Sequence, residues 1–153
     1  MKLTTNFSLE ELYFSPTAIQ SGIHNVPGAN ESECLRQLAV NILQPIRTHF
    51  GLPVTVRSGY RSAPLNRAVG GAPDSQHMRG QAADITIHGV GNDVIWQFIE
   101  SSLPFDQVIL EHVPVKRPQL GWVHVSYQPN GRREAFSCVA AGDYRKGMVY
   151  AVA

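Results

Sequence analysis

The sequence predicts a single α+β domain in which helices pack on a largely antiparallel sheet. Two observations predict it. One long amphipathic segment lies in the first third, where Leu35, Leu38, Ile42 and Ile46 follow the 3, 4, 4 spacing of one buried helical stripe. The second half then carries three β-rich runs, FDQVILE, WVHVSY and EAFSCV, with no helical period between them. Helices first and mostly consecutive strands afterwards is the order of an α+β fold, not of alternating βαβ units. The 153 residues suffice for one core without disulfide support, so residues 1–153 are read as one domain with its motif-bearing core at about 30–140.

The elements follow in order. Residues 1–29 read as irregular, apart from a short helix over Leu9–Phe14 opened by Ser8 as N-cap. SGIHNVPGAN, residues 21–30, reads as loop. The main helix is predicted over 31–49, with Asn30 and Glu33 in capping-box order, Ala39 and Phe50 extending the stripe, and Gly51 as its end. Pro45 removes one intrahelical bond and is expected to kink or crowd the preceding turn. PVTVR, residues 53–57, is a strand, and Ala63–Val69 a short helix closed by Gly70 and Gly71. Residues 72–81 read as loop and ADITI, residues 83–87, as a strand. Asn92 is expected to cap a helix to about Ser101, with Ile95, Phe98 and Ile99 inward and Trp96 on its border. Phe105–Glu111 and Trp122–Tyr127 are strong strands joined by a loop containing Pro114 and Pro118, and Glu134–Val139 is the last strand.

Composition narrows the function. Charged residues make up only 16% of the chain, below the usual quarter or so, which excludes a disordered chain or charge-laced coiled coil. A formal charge of +1 and no basic stripe among aromatics argue against a nucleic-acid binder. No apolar run approaches the roughly 18 residues of a membrane span, and the N-terminus has no apolar core of a signal peptide. Cys34 and Cys138 have no metal-finger spacing and read as small core residues or one bridge.

Three residues carry the chemistry: His77, Asp84 and His124. Asp84 sits in an otherwise apolar strand, opposite in direction to Ile85 and Ile87, and a charge there must reach solvent or a partner. His124 shares its strand face with Trp122 and Ser126. Taken singly, each has an ordinary structural reading. Together, two imidazoles and a carboxylate form the ligand set of a catalytic zinc site with one open position. The same set also accepts other divalent ions.

The run SQHMRGQAAD, residues 75–84, has the form S-x-H-x-x-G-x-A-x-D through Ser75, His77, Gly80, Ala82 and Asp84. It resembles the zinc D-alanyl-D-alanine carboxypeptidase and L-alanyl-D-glutamate endopeptidase family, whose fold is shared with the zinc domain of hedgehog proteins. SGYRS at 58–62, Asn66, Gly70, Gly71 and WVHVSY at 122–127 extend the resemblance. The opening FSLEELYFSPTA and GIHNVP is similar to the small single-domain, phage-type branch. The resemblance implies one zinc ion on His77, Asp84 and His124. It also implies a peptidoglycan stem peptide as substrate, with Arg61, Ser75 and Tyr60 as its binding residues. For a chain without a signal peptide, it implies action on the cell wall after release through a holin, or from a virion. Gly80 is expected to permit a tight turn, Ala82 to leave room beside the metal, and the loop 113–120 to wall the site.

A zinc peptidase needs a carboxylate that moves a proton from water to the leaving amine. Better-known members of the family place Glu or Asp three residues before the last His ligand, where this chain has Gly121. Glu111 is the expected substitute, since it ends the preceding strand, as Glu does in the phage-type branch. His112 stands in reserve and Asp106 third. Two functions compete. One is a peptidase, acting as an endopeptidase or as a D,D- or L,D-carboxypeptidase. The other is a non-catalytic, zinc-bearing binding or virion structural protein. Gly121 favours the second, while Arg61, Ser75 and Glu111 favour the first.

Overall fold

The computed structural model describes residues 1–152. Helix α1 (Leu9–Tyr13) opens on a full capping box, in which Ser8 and Glu11 each accept from the other's backbone N–H. Helix α2 (Pro16–Ser21) falls where irregular chain was expected. Ser15 caps it, Pro16 starts it, and Gly22 ends it in the left-handed region.

The predicted 31–49 helix is three consecutive pieces. Helix α3 (Ala29–Leu38) passes through a π turn (Ala39–Leu43) into helix α4 (Gln44–Phe50), and Gly51 closes it with φ 67°. The π turn is the structural answer to Pro45. Proline has no N–H for the i−4 carbonyl and its ring crowds that turn, so the wider turn just before it relieves both defects. The stripe survives: Leu35, Leu38, Ala39, Ile42, Leu43 and Ile46 are all fully buried. The capping box expected at Asn30 and Glu33 does not form. Asn30 lies inside α3, Gly28 is the N-cap, and Glu33 instead binds Arg36 one turn on.

Six strands form one sheet: β1 (Thr55–Ser58), β2 (Ala82–Thr86), β3 (Gln107–Glu111), β4 (Trp122–Ser126), β5 (Glu134–Ala140) and β6 (Asp143–Lys146). Their order is β1-β2-β4-β3-β5-β6. Every pair is antiparallel except β3 with β5, so the expected largely antiparallel sheet is present. Glu134–Val139 is not the last strand. β6 follows it, and its half-exposed or exposed DYRK run has no alternating apolar pattern.

Alternation divides the sheet. Ala83, Ile85, Val108, Leu110, Val123 and Val125 share one buried core with the α3–α4 stripe and with Ile95 and Ile99 of helix α6 (Asn92–Ser102). Asp84, Glu111, Trp122 and His124 lie on the opposite face, which the helices do not cover. Asn92 does not cap α6. Gly91 does, and buried Asn92 instead donates from Nδ2 to Leu120 O at 3.0 Å. Trp96 points inward and donates to Phe136 O, while Phe98 sits at the core margin, stacked on His49. Cys34 and Cys138 are both free. Among the described residues no helix is long and apolar enough to cross a membrane.

Candidate metal centre and cleft

Sheet register assembles the centre. Asp84 of β2 lies directly opposite His124 of β4, and Ile109 of β3 lies opposite His124 on its other side. His77 arrives from the segment expected to be loop. That segment contains a 3₁₀ turn (Gln76–Arg79) after helix α5 (Ala63–Ala68). Ser75 Oγ caps the turn by accepting from His77 N at 3.2 Å. Gly80 ends it with φ 71°, and a Cβ there would lie 2.4 Å from Glu31 O, so only glycine suits this turn.

The three side chains converge. His124 Nδ1 is 3.0 Å and His77 Nε2 3.4 Å from Asp84 Oδ1. One donor atom from each residue lies within 4.8 Å of the others. His77 Nδ1 donates to Gly59 O at 2.7 Å, which fixes the tautomer and leaves the Nε2 lone pair facing the centre. Burial pushes the His77 imidazole down from its ordinary value, the direction that favours the neutral form able to hold a metal. Burial opposes ionisation of Asp84, but His77 and His124 beside it outweigh this and hold the carboxyl well below the usual range. Two imidazole nitrogens and one carboxylate oxygen, mutually close and with His77 oriented by the Gly59 carbonyl, fit a zinc ion with an open position.

A cleft of about 480 Å³ opens over this centre, lined among others by Arg61, Ser75, Glu111, Trp122, Arg132 and Tyr144. Arg61 is largely buried. It donates from Nε to Ser58 Oγ and from Nη1 to Asn66 Oδ1, both at 3.0 Å, and its Nη2 lies 3.5 Å from Asp84 Oδ2. Its position is therefore fixed before any ligand arrives. Glu111 ends β3 opposite Trp122, on the face of His124. Burial pushes its carboxyl up from the ordinary value, more than the charge of His124 pulls it down.

Other expected residues lie elsewhere. Tyr60 does not line this cleft; it packs against the core, and its backbone bonds Leu12 and Asn25. Asp106 is fully buried and accepts from Arg132, Gln76, Gln128 and Ser126, which leaves it no access to a substrate. The loop 113–120 does not wall the cleft either. Its Pro118, Gln119 and Leu120 line a neighbouring groove of about 840 Å³ together with Arg57. Arg57 lies over the Trp122 ring and donates to Gly121 O.

Gly121 has a backbone reason to be glycine. Its φ is +76°, and a Cβ would lie 2.2 Å from Glu111 O and 2.8 Å from His112 O. No acidic side chain fits there on this backbone.

A family model described as peptidase M15 matches residues 5–126, most of the chain. The chain belongs to the peptidase M15 family. The zinc D-Ala-D-Ala carboxypeptidase of Streptomyces albus G is 50% identical to it over 44 residues, which are 28% of this chain and 17% of that protein. The family match contains His77, Asp84, His124, Arg61, Ser75 and Glu111 and ends before Arg132, Cys138 and Tyr144. Arg132 and Tyr144 line this cleft only because β5 and β6 extend the sheet past β3, which also sets Cys138 opposite Glu111. Arg132 and Tyr144 were missed because no local motif marks them; the parallel β3–β5 pairing brings them in.

Proposed function

We propose that this M15 chain is a zinc-dependent peptidase that hydrolyses an amide bond in peptidoglycan stem peptides. The observation that carries the reading is the convergence of His77, Asp84 and His124 beneath a cleft whose wall includes half-buried Glu111. The similarity to the zinc D-Ala-D-Ala carboxypeptidase of Streptomyces albus G supports the substrate class.

When bound, zinc supplies Lewis acidity toward a carbonyl oxygen and water. The remaining work belongs to the chain's own residues. Glu111 takes a proton from the attacking water on a carboxylate oxygen and delivers it to the leaving amine. A carboxyl raised by burial is a better proton carrier near neutral pH than an exposed one. Arg61 keeps an N–H on Nη1 and on Nη2 beyond those bound to Asn66 and Asp84, and these pair with a substrate carboxylate. Ser75 Oγ accepts from His77 N, so its own hydrogen is free to donate to a substrate oxygen.

The test is mass spectrometry of fragments released from purified peptidoglycans of several stem chemistries. The expected result is new amine and carboxyl termini at one bond, lost with a chelator and restored by zinc. Loss of a terminal residue identifies a carboxypeptidase, and an internal cut an endopeptidase. No release from any wall, with zinc bound, overturns the reading in favour of a zinc-bearing binding protein.

A further inference from the structure

A second group of metal-binding side chains lies one strand away from the centre. Glu111, His112 and Cys138 each offer a donor atom within 4.8 Å of the other two. The parallel β3–β5 pairing puts Glu111 directly opposite Cys138, and His112 N donates to Cys138 O at 2.9 Å. His112 holds a left-handed backbone, φ 55°, a conformation rare outside glycine. Its Nε2 lies 4.0 Å from Glu111 Oε2.

We infer that Glu111, His112 and Cys138 form a second, inhibitory site for a thiophilic divalent cation such as zinc. The inference rests on the reading of Glu111 as the base, because the same carboxylate would serve both sites. Thiolate, imidazole and carboxylate are a donor set for zinc or cobalt, not for magnesium or calcium. Tetrahedral zinc holds its donors about 3.5 Å apart, so modest rotation of the partly exposed His112 ring closes the set. Binding breaks the bond from Cys138 Sγ to Ala140 O, 3.1 Å long, forms the metal–sulfur bond and releases the thiol proton to solvent. A cation held there occupies Glu111 and removes it from proton transfer. Peptidase activity then depends on zinc in two directions: the first equivalent is required, and excess is inhibitory.

The experiment is a titration of the apo protein with cobalt(II). The second equivalent is expected to bring a near-ultraviolet thiolate-to-cobalt band that the first does not. Cys138→Ser abolishes that band and His112→Gln weakens second-site binding, while both keep the first equivalent. On peptidoglycan, zinc at about ten times the second site's Kd lowers wild-type turnover about tenfold by mass action, and Cys138→Ser relieves this. Binding of one equivalent only overturns the inference, as does a second without the thiolate band or a band that persists in Cys138→Ser. The cobalt readout needs no turnover, so an inactive protein that shows the band refutes the peptidase reading and not the second site.

Discussion

Glu111, the proposed proton carrier, ends β3 on the face of His124, partly withdrawn from water. Glu111→Gln keeps the shape of the side chain and removes its basicity. Hydrolysis should fall by about 10²–10⁴-fold, the usual contribution of a general base, while zinc stays bound at one equivalent. Metal analysis beside turnover checks this, and full turnover with zinc retained removes Glu111 from the mechanism. Asp84, Glu111 and His124 lie on strands that alternate cleanly, so the facing side of each was legible before any pairing was known, whereas His77 sits in a 3₁₀ turn and was marked only by the S-x-H-x-x-G-x-A-x-D pattern. Tyr60, packed on the core and outside the cleft lining, is the complementary case. Its place depends on where SGYR meets α1, a tertiary contact with no local signal. Asp106 has the chemistry of a spare acid, but partners mostly distant in sequence commit it to a buried structural role.

The β3–β4 connection explains the departure from the family's acidic position. After Glu111 the chain takes a left-handed residue at His112, and before Trp122 it takes another at Gly121. These two positions close on each other: the Gly121 Cβ site is filled by the carbonyls of Glu111 and His112. Gly121→Ala should therefore destabilise the fold by about 2–4 kcal/mol, through a positive φ and a backbone clash together. It should also disturb Glu111 and lower activity further. Chemical denaturation with a turnover assay measures both, and an unchanged midpoint contradicts the steric account. At this scale the sequence shows where elements are but not how their ends are satisfied. Asn30 and Asn92 have capping chemistry, yet glycines Gly28 and Gly91 occupy the cap positions. The π turn before Pro45 and the helix after Ser15 were likewise lost within a general expectation of kink or loop.

Across the whole molecule, Asp106 joins the parts that must stay in register for the site to exist. It lies just before β3 and accepts from Arg132 before β5, from Ser126 at the end of β4, and from Gln76 beside His77, a proposed ligand. The Arg132 hydrogen bonds outweigh the cost of burial and hold its carboxyl well below the usual carboxylate range. A depressed folded-state value sets the sign of the pH effect. The stabilisation is fully present above the unfolded Asp value, about 3.9, and is withdrawn as pH falls through that value toward the lower folded one. Asp106→Asn keeps the volume but loses the charge and turns one acceptor into a donor facing donors. It should cost about 2–4 kcal/mol at pH 7, the scale of buried hydrogen bonds to a charged group. The gap between wild type and variant should narrow steadily below about pH 4, because the wild type then loses the same interaction. Urea unfolding of both proteins at pH 7, 5 and 3 measures that gap, and a gap independent of pH removes the charge of Asp106 from the account. Gln76 loses its anchor in the same variant, so zinc affinity should fall alongside stability. A variant that unfolds earlier yet binds zinc as tightly as wild type would show that the ligand turn holds His77 without help from the sheet.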